Sequence, residues 1–257
     1  VLPKNMFSNS GIKKIVIPGS VEQIGNNCFG SCNRLEEFDL ALPDNKDLEF
    51  GIGLFENCGN LKKAVLPKSL KVLPRKTFSN CKKVTKVNLN KIENLEESCL
   101  AGTGIVAIDL SNVKSVGCGA FSDSDIKYLF IPKNVESIGK GALQNCKSLE
   151  RVKIDKESEA SIGSDCFRNT SLKNFVVPAN CHIDGVGVFA GDKNLNFFEH
   201  LGNKICFNGD FFVGNRNLIA ISCPNMEEFK YRLSAFGGVG ENARIYFPPA
   251  GKIEQLD

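Results

Sequence analysis

Histidines and regularly spaced metal ligands are scarce in this sequence. Only His182 and His200 occur among its 257 residues, and none of the eleven cysteines belongs to a C-x-x-C pair. The adjacent Cys181 and His182 lack the spacing that structural zinc sites use. A cysteine hydrolase needs a nucleophile and a base brought together, and a glycine-rich phosphate loop is also missing. We therefore expect no metal, no cofactor and no enzymatic activity.

Long apolar runs and an excess of charge of one sign are missing as well. Lys and Arg number 32 against 29 Asp and Glu, a net charge of +3 that favours neither nucleic acid nor a membrane surface as partner. No apolar run approaches the roughly 20 residues that span a bilayer. The chain starts at Val1 inside a pattern that recurs later, and no signal peptide is visible. We expect a monomeric domain of a longer protein, without membrane insertion.

Internal repetition is the dominant feature of the sequence. Segments 21–40 and 135–154 share the frame V-x-x-I-G-x-x-[A/C]-[F/L]-x-x-C-x-x-L-x-x-[V/F]-x-[L/I]. The Phe or Leu at the centre of the frame, here called the anchor, recurs ten times at intervals of 21 to 26 residues, a period typical of leucine-rich repeats. The anchors are Phe7, Phe29, Phe55, Phe78, Leu100, Phe121, Leu143, Phe167, Phe189 and Phe212.

A short apolar run, L-x-x-[V/F/I]-x-[L/I/V], follows each anchor by five or six residues and often ends in proline. Its alternation predicts a strand, and proline ends strand pairing. One strand per repeat, stacked about 4.8 Å apart, predicts a parallel sheet on the order of 45 Å long. Because no unit buries its own apolar face, the core depends on each repeat covering the next.

The frame resembles the BspA-like leucine-rich repeat family of bacterial and protist surface and secreted proteins. The resemblance rests on the I-G-x-x-[A/C]-F and C-x-x-L elements and extends over residues 1–224. It implies a right-handed solenoid of α/β or mainly β type, with about ten repeats, a curved parallel sheet on the concave face and short or irregular β segments on the convex face. It also implies a role in adhesion or protein binding, and no reaction.

Three segments depart from the frame. The repeat at 92–110 lacks the I-G pair and the turn cysteine, and Asp44–Glu49 is interpreted as an exposed insertion. Residues 225–257 are expected to form a C-terminal cap or the start of a following segment. Within them, Glu227–Phe236 predicts a short amphipathic helix, and Ala243–Phe247 predicts one more strand.

Most cysteines hold one of two repeat positions. One position lies in the turn and the other just before the anchor, where two repeats have alanine instead, so we expect small buried thiols in reduced form. A disulfide between Cys58 and Cys81 of neighbouring repeats is the alternative. Four cysteines outside both positions are expected to be more reactive, and cysteine usage does not decide the compartment. They are Cys118, Cys181, Cys206 and Cys223.

Candidate binding residues come from the strand positions that point away from the core. A solvated sheet face should be polar, yet Tyr128, Phe130 and Phe197 hold outward positions. Large aromatic residues and Arg are enriched at binding hot spots. We therefore predict that the ligand-binding residues include all three aromatic side chains.

The sharpest hypothesis is a patch of Tyr128 and Phe130 flanked by Asp109, Arg151 and Lys153. The alternative is that the two rings only cover neighbouring repeats or pack on sequence beyond this chain. The function predicted is a cell-surface or secreted module that adheres to a host or matrix protein. A structural spacer and an intracellular interaction scaffold are the alternatives.

Overall fold

The computed structural model describes residues 1–41, 47–183, 185–248 and 251–256. These residues form nineteen strands, and their one helical element is the 3-10 turn Leu233–Phe236. All of the strand pairings are parallel. The fold is therefore a mainly β solenoid of about ten turns, as the repeat period predicts.

Two faces of the solenoid carry the strands. The face that follows the turns, here called the front face, corresponds to the predicted concave sheet. Its strands are β1 (Lys14–Pro18), β3 (Glu37–Ala41), β5 (Lys63–Ala64), β9 (Tyr128–Ile131), β11 (Arg151–Ile154), β13 (Asn174–Val177), β14 (Phe197–His200), β16 (Ala220–Ser222) and β18 (Arg244–Tyr246). They pair in the orders β1-β3-β5, β9-β11 and β13-β14-β16-β18.

The back face carries the remaining strands, most of them only two residues long. They are β2 (Gln23–Ile24), β4 (Glu49–Phe50), β6 (Val72–Leu73), β7 (Asn94–Leu95), β8 (Ser115–Val116), β10 (Ser137–Ile138), β12 (Ser161–Ile162), β15 (Lys204–Phe207), β17 (Glu228–Arg232) and β19 (Lys252–Leu256). They pair in the orders β2-β4, β6-β7-β8-β10-β12 and β15-β17-β19.

The anchors stack along the axis of the solenoid between the two faces. The ring centroids of Phe29 and Phe55 are 6.1 Å apart, and those of Phe55 and Phe78 are 5.4 Å apart. The amide of each anchor donates to the carbonyl just before the next anchor, as Phe121 does to Ala142 at 2.8 Å. Every repeat is therefore bonded and packed to its neighbour, which is the origin of the core.

The turn cysteines connect neighbouring repeats rather than closing their own turns. Each Sγ donates to the carbonyl of the preceding repeat's anchor, at 2.9–3.0 Å, as Cys58 does to Phe29. Cys58 and Cys81 are free thiols, so the disulfide alternative is not realised. A turn cysteine is thus a buried donor that satisfies a neighbour's carbonyl.

The front face lacks strands in two repeats, contrary to the expectation of one strand each. Residues 84–89 and 105–110 form no ladder among the described residues. Asn88 Oδ1 accepts the amide of Asn90, and Asp109 Oδ1 accepts the amide of Ser111. Such local side-chain bonds compete with strand pairing.

The C-terminal segment differs from its prediction at one point. The predicted helix Glu227–Phe236 is wrong, because Glu228–Arg232 is the back strand β17 and Phe236 stacks on Phe212 as a further anchor. The predicted strand Ala243–Phe247 is confirmed as β18. Half of the predicted exposed insertion Asp44–Glu49, residues 44–46, lies outside the described residues. In the other half Asp47 is exposed, but Leu48 is buried in the core and Glu49 begins β4, so exposure of the whole segment is wrong.

Candidate ligand-binding face

The two candidate rings stand side by side on the outer surface of β9. Leu129 and Ile131 point into the core, while Tyr128 and Phe130 are 52% and 46% exposed. Outward and inward residues alternate because successive strand side chains point to opposite faces. A tyrosine and a phenylalanine at consecutive outward positions therefore form a continuous aromatic surface.

Two cations lie opposite the rings on β11. The parallel register places Arg151 beside Tyr128 and Lys153 beside Phe130. The ammonium group of Lys153 is 5.9 Å from the centroid of the Phe130 ring, a cation–π distance. These four side chains are the aromatic-cationic patch, and the sequence predicted all of them.

No hydrogen bond, ion pair or cation–π contact among the described residues joins Asp109 to this patch. It lies in the strandless segment 105–110, and its carboxylate accepts hydrogen bonds from the Ser111 hydroxyl and amide. These bonds hold the pKa of Asp109 below its usual range. The carboxylate is therefore engaged in a local turn, exposed on the same side of the molecule.

Phe197 is also separate from the patch. It lies on β14, which is separated from β9 by β11 and β13, and it is half-buried between Asn174 and Ala220. At about 4.8 Å per strand, its backbone lies roughly 14 Å from that of Tyr128. Its surroundings are those of a ring that packs on neighbouring repeats.

A depression lies beside the patch, where the front sheet is interrupted. Strands β11 and β13 are adjacent, but no ladder joins them in the part of the chain that the structure describes. The cavity between them, here called the seam depression, has a volume of about 540 Å³. Its lining includes Arg151, Lys153, Lys156, Val176, Pro178 and Leu201.

Sequence reasoning missed the seam depression. Val176 is 41% exposed at the same repeat position as Phe130, and an apolar residue there was a usable signal. The sequence carries no signal for the position of the interruption between β11 and β13, because residues 149–154 and 172–177 have equally regular strand patterns. A second cavity, of about 410 Å³, lies on the other side of β11 and includes Phe130 and Lys153 in its lining.

The cysteines outside the two repeat positions are less alike than expected. Cys118 is exposed and Cys206 half-buried, but Cys181 and Cys223 are buried. Burial raises the pKa of Cys181, and it raises the pKa of Cys223 to about 12. Since the thiolate is the nucleophile, the expectation of reactivity is wrong for these two residues.

The described ranges contain neither a cluster of metal-ligand residues nor a helix that could span a membrane. No group of three or more His, Cys, Asp or Glu residues there could hold a metal ion. Cys181 is buried and its neighbour His182 exposed, so the adjacent pair does not converge on one site. No helix in these ranges is long and apolar enough to cross a membrane.

Comparison with known proteins gives a consistent result. A sequence-family model described as the BspA type leucine rich repeat region matches residues 1–127 and 114–238, with 6 copies of the repeat. The comparison with curated proteins gives no match. A leucine-rich repeat protein from Bacteroides ovatus superposes with a TM-score of 0.54 at 21% identity, covering 94% of this chain and 70% of that chain.

A second solved structure has the same fold. The pneumococcal vaccine antigen PcpA superposes with a TM-score of 0.52 at 18% identity, covering 95% of this chain and 79% of that chain. At these identities the likeness concerns the fold.

Proposed function

Because this chain belongs to the BspA-type leucine-rich repeat family, we propose that it is a non-catalytic protein-binding module that works at the cell surface or after secretion. Its partner is a host or matrix protein, to which it adheres through the front face. The observation that supports this proposal is the pair of half-exposed rings on β9 beside two cations.

The rings supply enough binding energy to matter. An aromatic side chain has roughly 200 Å² of surface, so about half of each ring remains for a partner to cover. At about 25 cal/mol per Å², covering both contributes at most about 5 kcal/mol before the costs of association. A structural spacer has no need of such a surface, so the patch favours binding over display of other domains.

The extracellular location is supported by the comparisons. PcpA is described as a vaccine antigen, and a useful antigen must be reachable by antibodies. The remaining alternative is an intracellular scaffold, which would use the same face to bind a partner inside the cell. A secretory signal upstream of the repeats in the full gene would separate the two locations.

The test is capture of extracellular host and matrix proteins on the immobilised chain. The double variant Y128A/F130A is compared with V16A/Y246A, which removes a valine and a tyrosine that are 61% and 58% exposed on the same face. We expect the first variant to lose at least about tenfold in affinity and the second to bind like the wild type. Equal binding by both variants, with unchanged melting temperatures, would overturn the proposal.

A further inference from the structure

The seam depression combines an apolar floor with a cationic rim. Val176, Pro178 and Leu201 contribute apolar surface, and Val152 and Ile154 of β11 lie beneath, each 8% exposed. Most other inward residues of the front strands are less exposed, for example Ile131 and Val177 at 0%. The core is therefore slightly more exposed at this interruption of the sheet.

The rim carries positive charge without negative charge. Arg151, Lys153 and Lys156 line the depression, and its lining contains no Asp or Glu. No carboxylate of the described residues lies within 4 Å of these three cations. The field of three cations around an apolar recess is complementary to an anion that carries an apolar group.

The first part of the front face is different. There Lys14 pairs with Glu37 at 2.8 Å and Lys63 with Asp39 at 3.3 Å, each across neighbouring strands. These cations are matched within the protein. At the seam, the next strand offers Asn174 and Val176 where a carboxylate would complete the same pattern.

We propose that the seam depression receives an apolar side chain from an extended acidic segment of the partner protein, whose carboxylates lie against Arg151, Lys153 and Lys156. This inference rests on the proposed function and names the chemistry of the partner. It adds a second contact, adjoining the aromatic-cationic patch through the two cations that both surfaces share.

The geometry of an extended segment suits this surface. Residues two apart on a strand are roughly 6.6 Å apart, which is the separation of the backbones of Arg151 and Lys153 along β11. An extended peptide has the same spacing between alternate side chains. It can place carboxylates at two such positions, and the next residue on the same side of the peptide can then enter the recess.

The experiment is selection from a displayed library of random twelve-residue peptides on the folded chain. We expect the selected peptides to carry two or more Asp or Glu residues and an aliphatic or aromatic residue at alternate positions, so that all of them lie on one side of an extended segment. Their affinity should fall at least about tenfold between about 50 mM and 300 mM salt, because the rim is exposed and screening shortens the reach of its field. Selected peptides that are neutral or basic, or the absence of any selected peptide, would overturn the inference.

Two pairs of variants locate the binding. R151Q/K153Q/K156Q removes the rim, and K14Q/K62Q/K63Q removes three cations that already pair with carboxylates. V176E places a like charge in the recess, and V16E makes the same change at the matching repeat position on β1. The first member of each pair should weaken peptide binding at least about tenfold, and the second should leave it unchanged.

The outcomes separate this inference from the proposed function. If Y128A/F130A loses host-protein binding while R151Q/K153Q/K156Q and V176E keep peptide and host-protein binding, the seam inference is refuted and the proposed function is retained. Host-protein binding that is unchanged in Y128A/F130A refutes the proposed function, whatever the peptides do. Self-association of the chain that V176E abolishes would make a second copy the occupant and overturn the acidic partner.

Discussion

Replacing Asp192 with asparagine is expected to change how the stability of the protein depends on pH. Asp192 holds the turn position that cysteine holds in four other repeats, and it is fully buried. Its carboxylate accepts hydrogen bonds from Thr170 Oγ1 at 2.6 Å and from the amide of Leu172 at 3.2 Å. Burial nevertheless raises the pKa of Asp192 from 3.8 to about 6, because these bonds only partly replace water.

The direction of the effect follows from where the proton is held more tightly. The folded state binds the proton up to about pH 6 and the unfolded state only to about 3.8, so protonation of Asp192 favours the folded state. This contribution is fully present below about pH 4 and is lost as the pH rises through about 6. The difference in pKa corresponds to at most about 3 kcal/mol of unfolding free energy.

The assay is urea unfolding of the wild type and D192N from about pH 4.5 to 7.5. Asparagine is neutral throughout and loses one acceptor, which costs about 1 kcal/mol at every pH. Relative to D192N, the wild type should therefore lose stability as the pH rises. D123N, which changes an exposed turn carboxylate, serves as the control. A difference between wild type and D192N that stays constant over this range would refute the burial argument.

Thiol exposure, anchor packing and one buried amide each give a further prediction. Under native conditions a thiol reagent should label the exposed Cys118 first, as mass spectrometry of the labelled protein would show. Equally fast labelling of the fully buried cysteines would contradict their burial. F121A should lower the free energy of unfolding by about 3–5 kcal/mol and Y128A by less than about 1 kcal/mol, because Phe121 is fully buried and Tyr128 is half exposed. Similar losses for the two variants in urea titrations would contradict this. Both polar side-chain atoms of Asn215 are buried without a hydrogen-bond partner among the described residues. N215L should therefore raise the free energy of unfolding by about 1–2 kcal/mol. A lower melting temperature of N215L in calorimetry would show that a partner exists.

The candidate site was only partly predictable from the sequence. Tyr128, Phe130, Arg151 and Lys153 could be assigned to one surface, because alternation on a strand fixes which side chains point outward. Asp109 and Phe197 hold equivalent outward positions, yet one is engaged in a turn and the other is half-buried three strands away. Alternation decides the direction of a side chain but not its lateral neighbours.

The C-terminal segment shows that local periodicity also fails to fix the type of secondary structure. The spacing of Phe229, Leu233 and Phe236 fits one face of a helix, and the structure instead has strand β17 followed by a 3-10 turn. Phe229 is buried and Leu233 is 65% exposed, so the two do not share a face. Strand β17 lies between β15 and β19 and pairs with both, whereas a helix at this place would leave the facing edges of those two strands unpaired, and this tertiary term outweighs local periodicity.

The sequence by itself determined the repeat, the identity of the anchors and the inward or outward direction of most strand residues. These follow from a period that each unit can satisfy only by stacking on a copy of itself. Only the tertiary structure decided where the front sheet is interrupted, and hence that Val176, Lys156 and Leu201 surround a recess beside Arg151. Strand pairing between repeats depends on the relative position of two backbones, and neither repeat encodes that position alone.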